Sequence, residues 1–323
     1  MKSFEDKPRL CIAMALYNAQ AHLREQLESI LSQSYDDFRL LVCDDCSQDS
    51  SVGIVEEYAE RDSRIVLLRN PVRLGAVKNF EKLLGLCDCR YTALSDQDDI
   101  WERERLQKGM DALESAQERY GNVPMAVHSD LSMIDSEGRK IADSFMKKRG
   151  YGLSGERDIA HILGPNGVMG NTLLFNEELK REILPFPETL AVHDYWIALN
   201  CELFGRRIYI DEPLVRYRIH EKNLSNPKSS FGASYLFGHL KAFLKGEPAL
   251  PYRGIAREKV IEKVLERDDI GVQERVLMEE FLDYLHLRGG RMGLFRSMCR
   301  NGTIKSSPIY RFFFLLGLLR ARE

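Results

Sequence analysis

Four short stretches of this chain carry residue types and spacings that chemistry could use. Asp96-Gln97-Asp98 places two carboxylates two residues apart. On a turn, both can face one point, as a divalent cation bound to a diphosphate requires. Mg²⁺ and Mn²⁺ prefer oxygen ligands and keep substrate phosphates in their shell. A lone Asp-x-Asp is more often a solvated loop, here with an aspartate capping a helix from Trp101-Glu102. Asp44-Asp45 precedes Ser47-Gln48-Asp49-Ser50, where Asp49 or Ser50 is enough to cap the next helix. A further carboxylate there can accept from the imide N–H of uracil or thymine, or from a ribose hydroxyl. His193-Asp194 opens a helix predicted over Tyr195–Phe204. Asp194 then serves either as its N-cap or as a general base for an attacking hydroxyl. In Arg216-Tyr217-Arg218-Ile219-His220, strand alternation puts Arg216, Arg218 and His220 on one face. The cations suit a diphosphate and a neutral imidazole can complete a metal shell, although a solvated strand face is the plainer reading.

The elements that must position these residues follow from hydrophobic periodicity. Leu10–Leu16, Phe38–Cys43, Ile65–Leu68 and Tyr91–Leu94 are short apolar runs, predicted to be strands. Between them, Leu23, Leu27, Ile30 and Leu31 form one helical stripe, Val52, Val55, Tyr58 and Ala59 a second, and Val77, Phe80 and Leu84 a third. Continuous apolar strands separated by helices predict an α/β fold with a mostly parallel sheet covered on both faces. Such sheets bind ligands beyond the carboxyl ends of their strands. Two of these four strands end in clustered aspartates, which repel one another unless something positive lies among them. Residues 126–225 read as a mixed second half. From about 226 the pattern turns helical, with Ile255–Arg267 and Val272–Leu287 amphipathic.

The 323 residues are 44% hydrophobic and 29% charged, enough for a sizeable core, and the net charge of −3 argues against general nucleic-acid binding. That charge is uneven: residues 291–323 hold seven Lys/Arg and one Glu. Pro308 divides this basic, apolar segment in two. It predicts either a docked terminal helix or attachment to an anionic membrane surface. Its longest apolar run, Phe312–Leu319, is too short to span a bilayer. MKSFEDKPRL lacks the apolar core of a secretion signal, so residence in the cytoplasm is expected, peripheral on the inner face of the membrane. Seven cysteines, an odd number, favour reduced thiols. Cys43-x-x-Cys46 and Cys87-x-Cys89 fit zinc spacing poorly.

Taken together, these residues resemble glycosyltransferase family 2, with its GT-A, Rossmann-like fold for nucleotide sugars. The matching stretches are Ile12–Asn18, Ile30–Tyr35, Leu41–Ser51, Asn70–Phe80, Leu94–Trp101, Gly167–Asn176, His193–Trp196 and Tyr217–Asn223. The likeness is greatest to bacterial members that build lipopolysaccharide or capsule, rhamnosyltransferases among them. It implies a nucleotide-sugar-binding set of Ala15, Tyr17, Asp45, Lys78, Asp96 and Arg218. Within it, Asp45 meets the nucleobase and the backbone at Ala15–Tyr17 lines the base pocket. Asp96 faces ribose or metal. Asp98, with His220, holds Mn²⁺ or Mg²⁺, and Asp194 is the catalytic base. His193 stands where an acidic neighbour is usual, and Cys46 where Gly is common.

The implied reaction inverts the anomeric centre of a UDP- or dTDP-linked sugar as it moves to a hydroxyl of a saccharide or lipid-linked saccharide. One displacement with one base needs no carboxylate nucleophile. A nucleotidyltransferase would carry a Gly-rich basic loop after the first strand, where this chain has Tyr17-Asn18-Ala19-Gln20. An inactive scaffold would have no need of Asp45, Asp96, Asp98 and Asp194.

Overall fold

The structure, a computed structural model, describes residues 8–152, 158–220, 250, 252, 257–305 and 307–321. Two compact units divide the chain: residues 1–145, 168–186 and 192–220 form the first, and residues 146–167, 187–191 and 221–323 the second. Besides residues 221–323, the second unit thus takes in two earlier stretches. Residues 146–167 associate with the C-terminal helices because Arg257 donates to the carbonyls of Leu163 (2.8 Å) and Gly164.

In the first unit, β1 (Leu10–Leu16), α1 (Leu23–Leu31), β2 (Phe38–Asp44), α2 (Ser51–Ala59), β3 (Ile65–Arg69), α3 (Ala76–Leu86) and β4 (Tyr91–Ser95) alternate as the periodicity predicts. The short β5 (Ile100–Trp101) occupies the place where a capped helix was the alternative, and α4 begins only at Arg105 (Arg105–Tyr120). There follow β6 (Met125–Ile134), β7 (Lys140–Ala142), β8 (Leu174–Asn176), α7 (Glu177–Ile183), α8 (His193–Phe204) and β9 (Arg206–Arg218), while α6 (Ile159–Leu163) and all but the first residue of α5 (Phe145–Arg149), between β7 and β8 in the chain, belong to the second unit. The sheet order is β3-β2-β1-β4-β8-β6-β9-β5, with β7 paired to β6. β1 pairs in parallel with both β2 and β4, so the chain winds outward through β2 and β3 and then crosses to the other side of β1. That reversal opens a crevice at the carboxyl ends of β1 and β4. β8 and β5 run antiparallel to their neighbours. The strands β1 and β4 are almost wholly buried, which explains their unbroken apolar runs.

In the second unit, α9 (Arg257–Leu265), α10 (Val272–Leu285), α11 (Arg291–Arg300) and α12 (Pro308–Arg320) form the helical part. Residues 255–256 and 221–223, which belong to a predicted helix and a matched motif, lie outside the described residues. Pro308 takes the first turn of α12, where its missing N–H costs nothing. Phe314 is buried against Tyr284 (5.3 Å between rings) and Phe295 (6.0 Å). Ile309, Phe312 and Leu319 are more than half exposed. Their spacing puts them on one face of α12. Among the described residues, no helix is long and apolar enough to cross a membrane.

Candidate active site

The register brings three strand ends to one edge. Leu16 pairs with Asp44, and Met14 with Ser95, so Tyr17, Asp45 and Asp96 each follow the last paired residue of their strand. The loops there are laced together. Asn18 Oδ1 accepts from the Gln48 N–H (2.7 Å), and the Asn18 N–H donates to Ser47 Oγ (3.0 Å). Gln97 Oε1 accepts from the Tyr17 N–H (2.6 Å) while Gln97 Nε2 donates to the Tyr17 carbonyl (3.0 Å). The Arg73 guanidinium lies 4.0 Å from the centre of the Tyr17 ring, a cation–π contact. Cys46 has φ +66°, the left-handed backbone that glycine adopts freely, so the turn keeps its shape without the glycine.

Asp45 is buried and heavily engaged. Its Oδ1 accepts from Leu74 N (2.7 Å) and Asn70 Nδ2 (2.9 Å), and its Oδ2 from Gly75 N (2.8 Å). Gly75 opens α3 at φ +82°, a conformation that side chains other than glycine rarely take, and this turns its N–H toward Asp45. With two acceptor sites per oxygen, these bonds leave one site of Oδ2 unused among the described residues. Asp44 instead accepts from Ser47 N and stays within its own turn. Lys78 pairs with Glu81 at 2.7 Å, on the first turns of α3.

The acidic turn is braced from several directions. Gln26 of α1 donates from Nε2 to Ser95 Oγ (2.8 Å) and to the Asp96 carbonyl (3.0 Å). Arg218 is 1% exposed, and its Nε donates to the Asp98 carbonyl at 2.9 Å. Its Nη2 pairs with Glu25, and its backbone N–H donates to Asp99 Oδ1 (3.0 Å). Arg218 therefore shapes the turn. Arg216, by contrast, is exposed and paired with Glu102 at 2.7 Å. His220 Nε2 lies 2.8 Å from Asp98 Oδ2, and the ring of His22 stacks 5.6 Å from that of His220. Burial holds the His22 imidazole below its usual pKa, with Arg218 and His220 adding to the effect.

Burial, then the charges of Asp98 and Asp194, push the Asp96 carboxyl up to about 7. Asp99 is driven well above the carboxylate range, mainly by burial. Asn171 Nδ2 binds Asp99 Oδ2 at 2.5 Å, and Arg105 Nη2 binds the Asn171 carbonyl at 2.8 Å. The Arg105 guanidinium sits 3.5 Å over the Trp101 ring, and burial lowers its pKa to about 9 against the opposing charge of Asp99. This is an acidic cluster that a bound cation would relieve. A carboxylate and an imidazole in contact form a donor pair suited to Mn²⁺. Among the described residues, no group of three His, Cys, Asp or Glu side chains has metal-holding geometry.

Asp194 lies in the first turn of α8, whose N-cap is Val192. It is therefore not the capping residue. A Cβ added to Gly170 would stand 3.2 Å from His193 Nε2 and 3.6 Å from Asp194 Cβ, so this glycine lets the Gly170–Thr172 turn approach the start of α8. The His193 ring packs 4.4 Å from that of Phe80, and burial lowers its pKa.

The structure thus brings Tyr17, Asp96, Asp98, His220 and Asp194 to one side of the unit, with Asp45 in the next loop. Sequence reasoning assigned no role to Arg73, Gln97, Asp99, Asn171 or Gln26. Arg73 and Asn171 lay within quoted motifs, and the third carboxylate of Asp96-Gln97-Asp98-Asp99 exceeded what the spacing argument required. Cys87 and Cys89 gather with Cys11 near the start of β1, apart from Cys43 and Cys46 near the far end of β2.

Glycosyl transferase family 2 matches residues 11–151. A glycosyltransferase of Methanocaldococcus jannaschii, itself uncharacterized, is 32% identical over 68% of this chain and 73% of its own length. The chain belongs to glycosyl transferase family 2. The dTDP-rhamnosyl transferase RfbG of Shigella flexneri is 27% identical over 69% of this chain and 76% of its own length. TarS of S. aureus in complex with UDP-GlcNAc has a TM-score of 0.61 at 14% identity, covering 97% of this chain and 89% of that chain. A longer TarS chain is covered over 44% of its length. The mannosyltransferase PcManGT from Pyrobaculum calidifontis, in complex with GDP-Man and Mn²⁺, has a TM-score of 0.57 at 15% identity, over 99% of this chain and 87% of that one. This family 2 glycosyltransferase has the GT-A fold, as its sequence predicted.

Proposed function

We propose that this family 2 enzyme transfers a sugar, with inversion, from a UDP- or dTDP-linked donor to a hydroxyl of a saccharide or lipid-linked saccharide. The Asp98–His220 pair, facing the crevice beyond β4, carries this reading. The name of RfbG supports a dTDP-linked deoxyhexose, and the TarS complex supports UDP. The open acceptor position on Asp45 Oδ2 suits the imide N–H that uracil and thymine share. Tyr17 and Arg73 offer a stacked surface beside the base. Asp98 and His220 would hold Mn²⁺ or Mg²⁺, which when bound offsets the negative charge that develops on the departing diphosphate. Asp194 takes the proton of the acceptor hydroxyl. It lies in the first turn of α8, at the positive end of the helix dipole. Arg218 serves through the turn it braces, and Lys78 at the edge of the donor site.

Residues 291–323 are proposed to hold the enzyme on the anionic inner face of the membrane, beside a lipid-linked acceptor. The exposed row Ile309, Phe312 and Leu319, among basic residues, supports this. The deciding experiment incubates the protein with UDP- and dTDP-sugars and Mn²⁺, and assays released nucleoside diphosphate. Formation of UTP or dTTP and a sugar 1-phosphate when pyrophosphate is added would instead indicate nucleotidyl transfer, and turnover of no donor in either assay would leave a scaffold. The anomeric configuration of the product tests inversion.

A further inference from the structure

The residue between the two motif aspartates has an unusual pairing. Gln97 uses both halves of its amide on one residue, accepting from the Tyr17 N–H at 2.6 Å and donating to the Tyr17 carbonyl at 3.0 Å. Tyr17 lies one residue past the β1–β2 ladder, which ends at Leu16 and Asp44. The side chain of Gln97 thus continues the pairing of β1 where the strands stop. The main chain on either side of Gln97 is fixed as well. The Asp96 carbonyl accepts from Gln26 at 3.0 Å, and the Asp98 carbonyl from Arg218 at 2.9 Å. A shift of Tyr17 is therefore felt between two anchored peptides, next to the carboxylate that touches His220.

We propose that Gln97 is a positioning residue that couples nucleoside binding at Tyr17 to cation binding at Asp98 and His220. This rests on the reading of those two sites given above. A base lying against Tyr17 orders its backbone. Through the paired amide it orders the turn, so the cation meets a turn whose ordering entropy has already been spent. The coupling is reciprocal: the cation must strengthen nucleoside binding by the same factor.

The test uses uridine and thymidine, which carry no phosphate and so cannot reach the ion themselves. Mn²⁺ affinity of the full chain is measured by electron paramagnetic resonance with and without saturating nucleoside, and nucleoside affinity with and without Mn²⁺. In wild type, either nucleoside should tighten Mn²⁺ binding roughly 5-fold or more. In Gln97→Met, of similar length but without hydrogen bonds, the factor should fall to about 1 while each ligand alone still binds. Gln97→Asn, too short to reach both backbone groups, should behave alike and serves if the Met variant folds poorly. A role confined to stability would weaken both ligands and leave the factor unchanged. Independent binding in wild type, or coupling that survives in both variants, overturns the proposal. Failure of wild type to bind Mn²⁺ or either nucleoside alone overturns instead the site reading on which it stands.

Discussion

His220 Nε2 lies 2.8 Å from Asp98 Oδ2, although 122 positions separate the two in sequence. An imidazole in contact with a carboxylate can either share a proton with it or share a cation. On the proposed reading it shares a cation, whose charge would relieve the repulsion among the neighbouring carboxylates. Asp98→Ala should abolish transfer and weaken binding of nucleoside diphosphate with Mn²⁺. His220→Ala should lower Mn²⁺ affinity by roughly 10–100-fold, and Asp96→Ala should weaken both properties less than Asp98→Ala. Wild-type turnover undiminished in excess chelator would sink the metal role of this pair.

Asp194 faces the same cluster from the start of α8. Asp194→Asn should lower turnover by roughly 10²–10⁴ with donor affinity nearly intact, since it removes proton transfer and no donor contact. A fall in donor affinity as steep as the fall in turnover would assign Asp194 to the donor site.

The raised Asp96 carboxyl makes the metal-free protein sensitive to pH. In the unfolded chain this group titrates near ~3.9, and in the fold at about 7. Between these values the folded state keeps a proton that the unfolded state has lost. Its contribution to stability is therefore complete below the lower value and is lost as pH rises through the upper one. The slope is at most about 1.4 kcal/mol per pH unit, and less because Asp96 is partly exposed. Melting temperatures in EDTA from pH 5 to 8 should fall more steeply for wild type than for Asp96→Asn. Stabilisation by Mn²⁺ should grow over the same range. Parallel curves for the two proteins would rule out Asp96 as the titrating group.

Helix α12 divides its apolar residues between core and surface. Deleting it would uncover Tyr284 and Phe295, so truncation mixes unfolding with loss of binding. Ile309→Ser with Phe312→Ser leaves Phe314 and Leu318 in place. The double variant should keep its melting temperature within a few degrees and bind anionic vesicles at least several-fold more weakly. Equal flotation of wild type and variant would show that the exposed row does not enter the lipid.

The parallel half of the fold was legible because its strands are buried on both faces and its helices on one, which leaves periods of two kinds in the sequence. Asp96, Asp98 and Asp194 stood out in the sequence because the first two follow an apolar strand, with a second aspartate pair on another strand end, and the third opens a helix. What escaped was contact across long separations. Arg218 looked like a cation free for phosphate, but its partners are the Asp98 carbonyl, Asp99 and Glu25, which no local pattern pairs with it. The same holds for Gln97, which was assigned no role and whose partner is a backbone 80 positions earlier. The grouping of residues 146–167 with the C-terminal helices had no local signal either: Arg257 binds carbonyls at 163 and 164, some 90 positions earlier.

The dependence of the Asp96–Asp99 turn on Arg218 also sets an order of events during synthesis. Strands β1 to β4 and their helices are complete by residue 95, and their contacts are local enough to form as they leave the ribosome. Arg218 and His220 emerge more than a hundred residues later, a delay on the order of ten seconds at typical elongation rates. Until then the turn lacks the guanidinium that holds its main chain and the imidazole that meets Asp98. The nascent chain thus holds every carboxylate of the turn well before it holds the guanidinium and the imidazole that meet them.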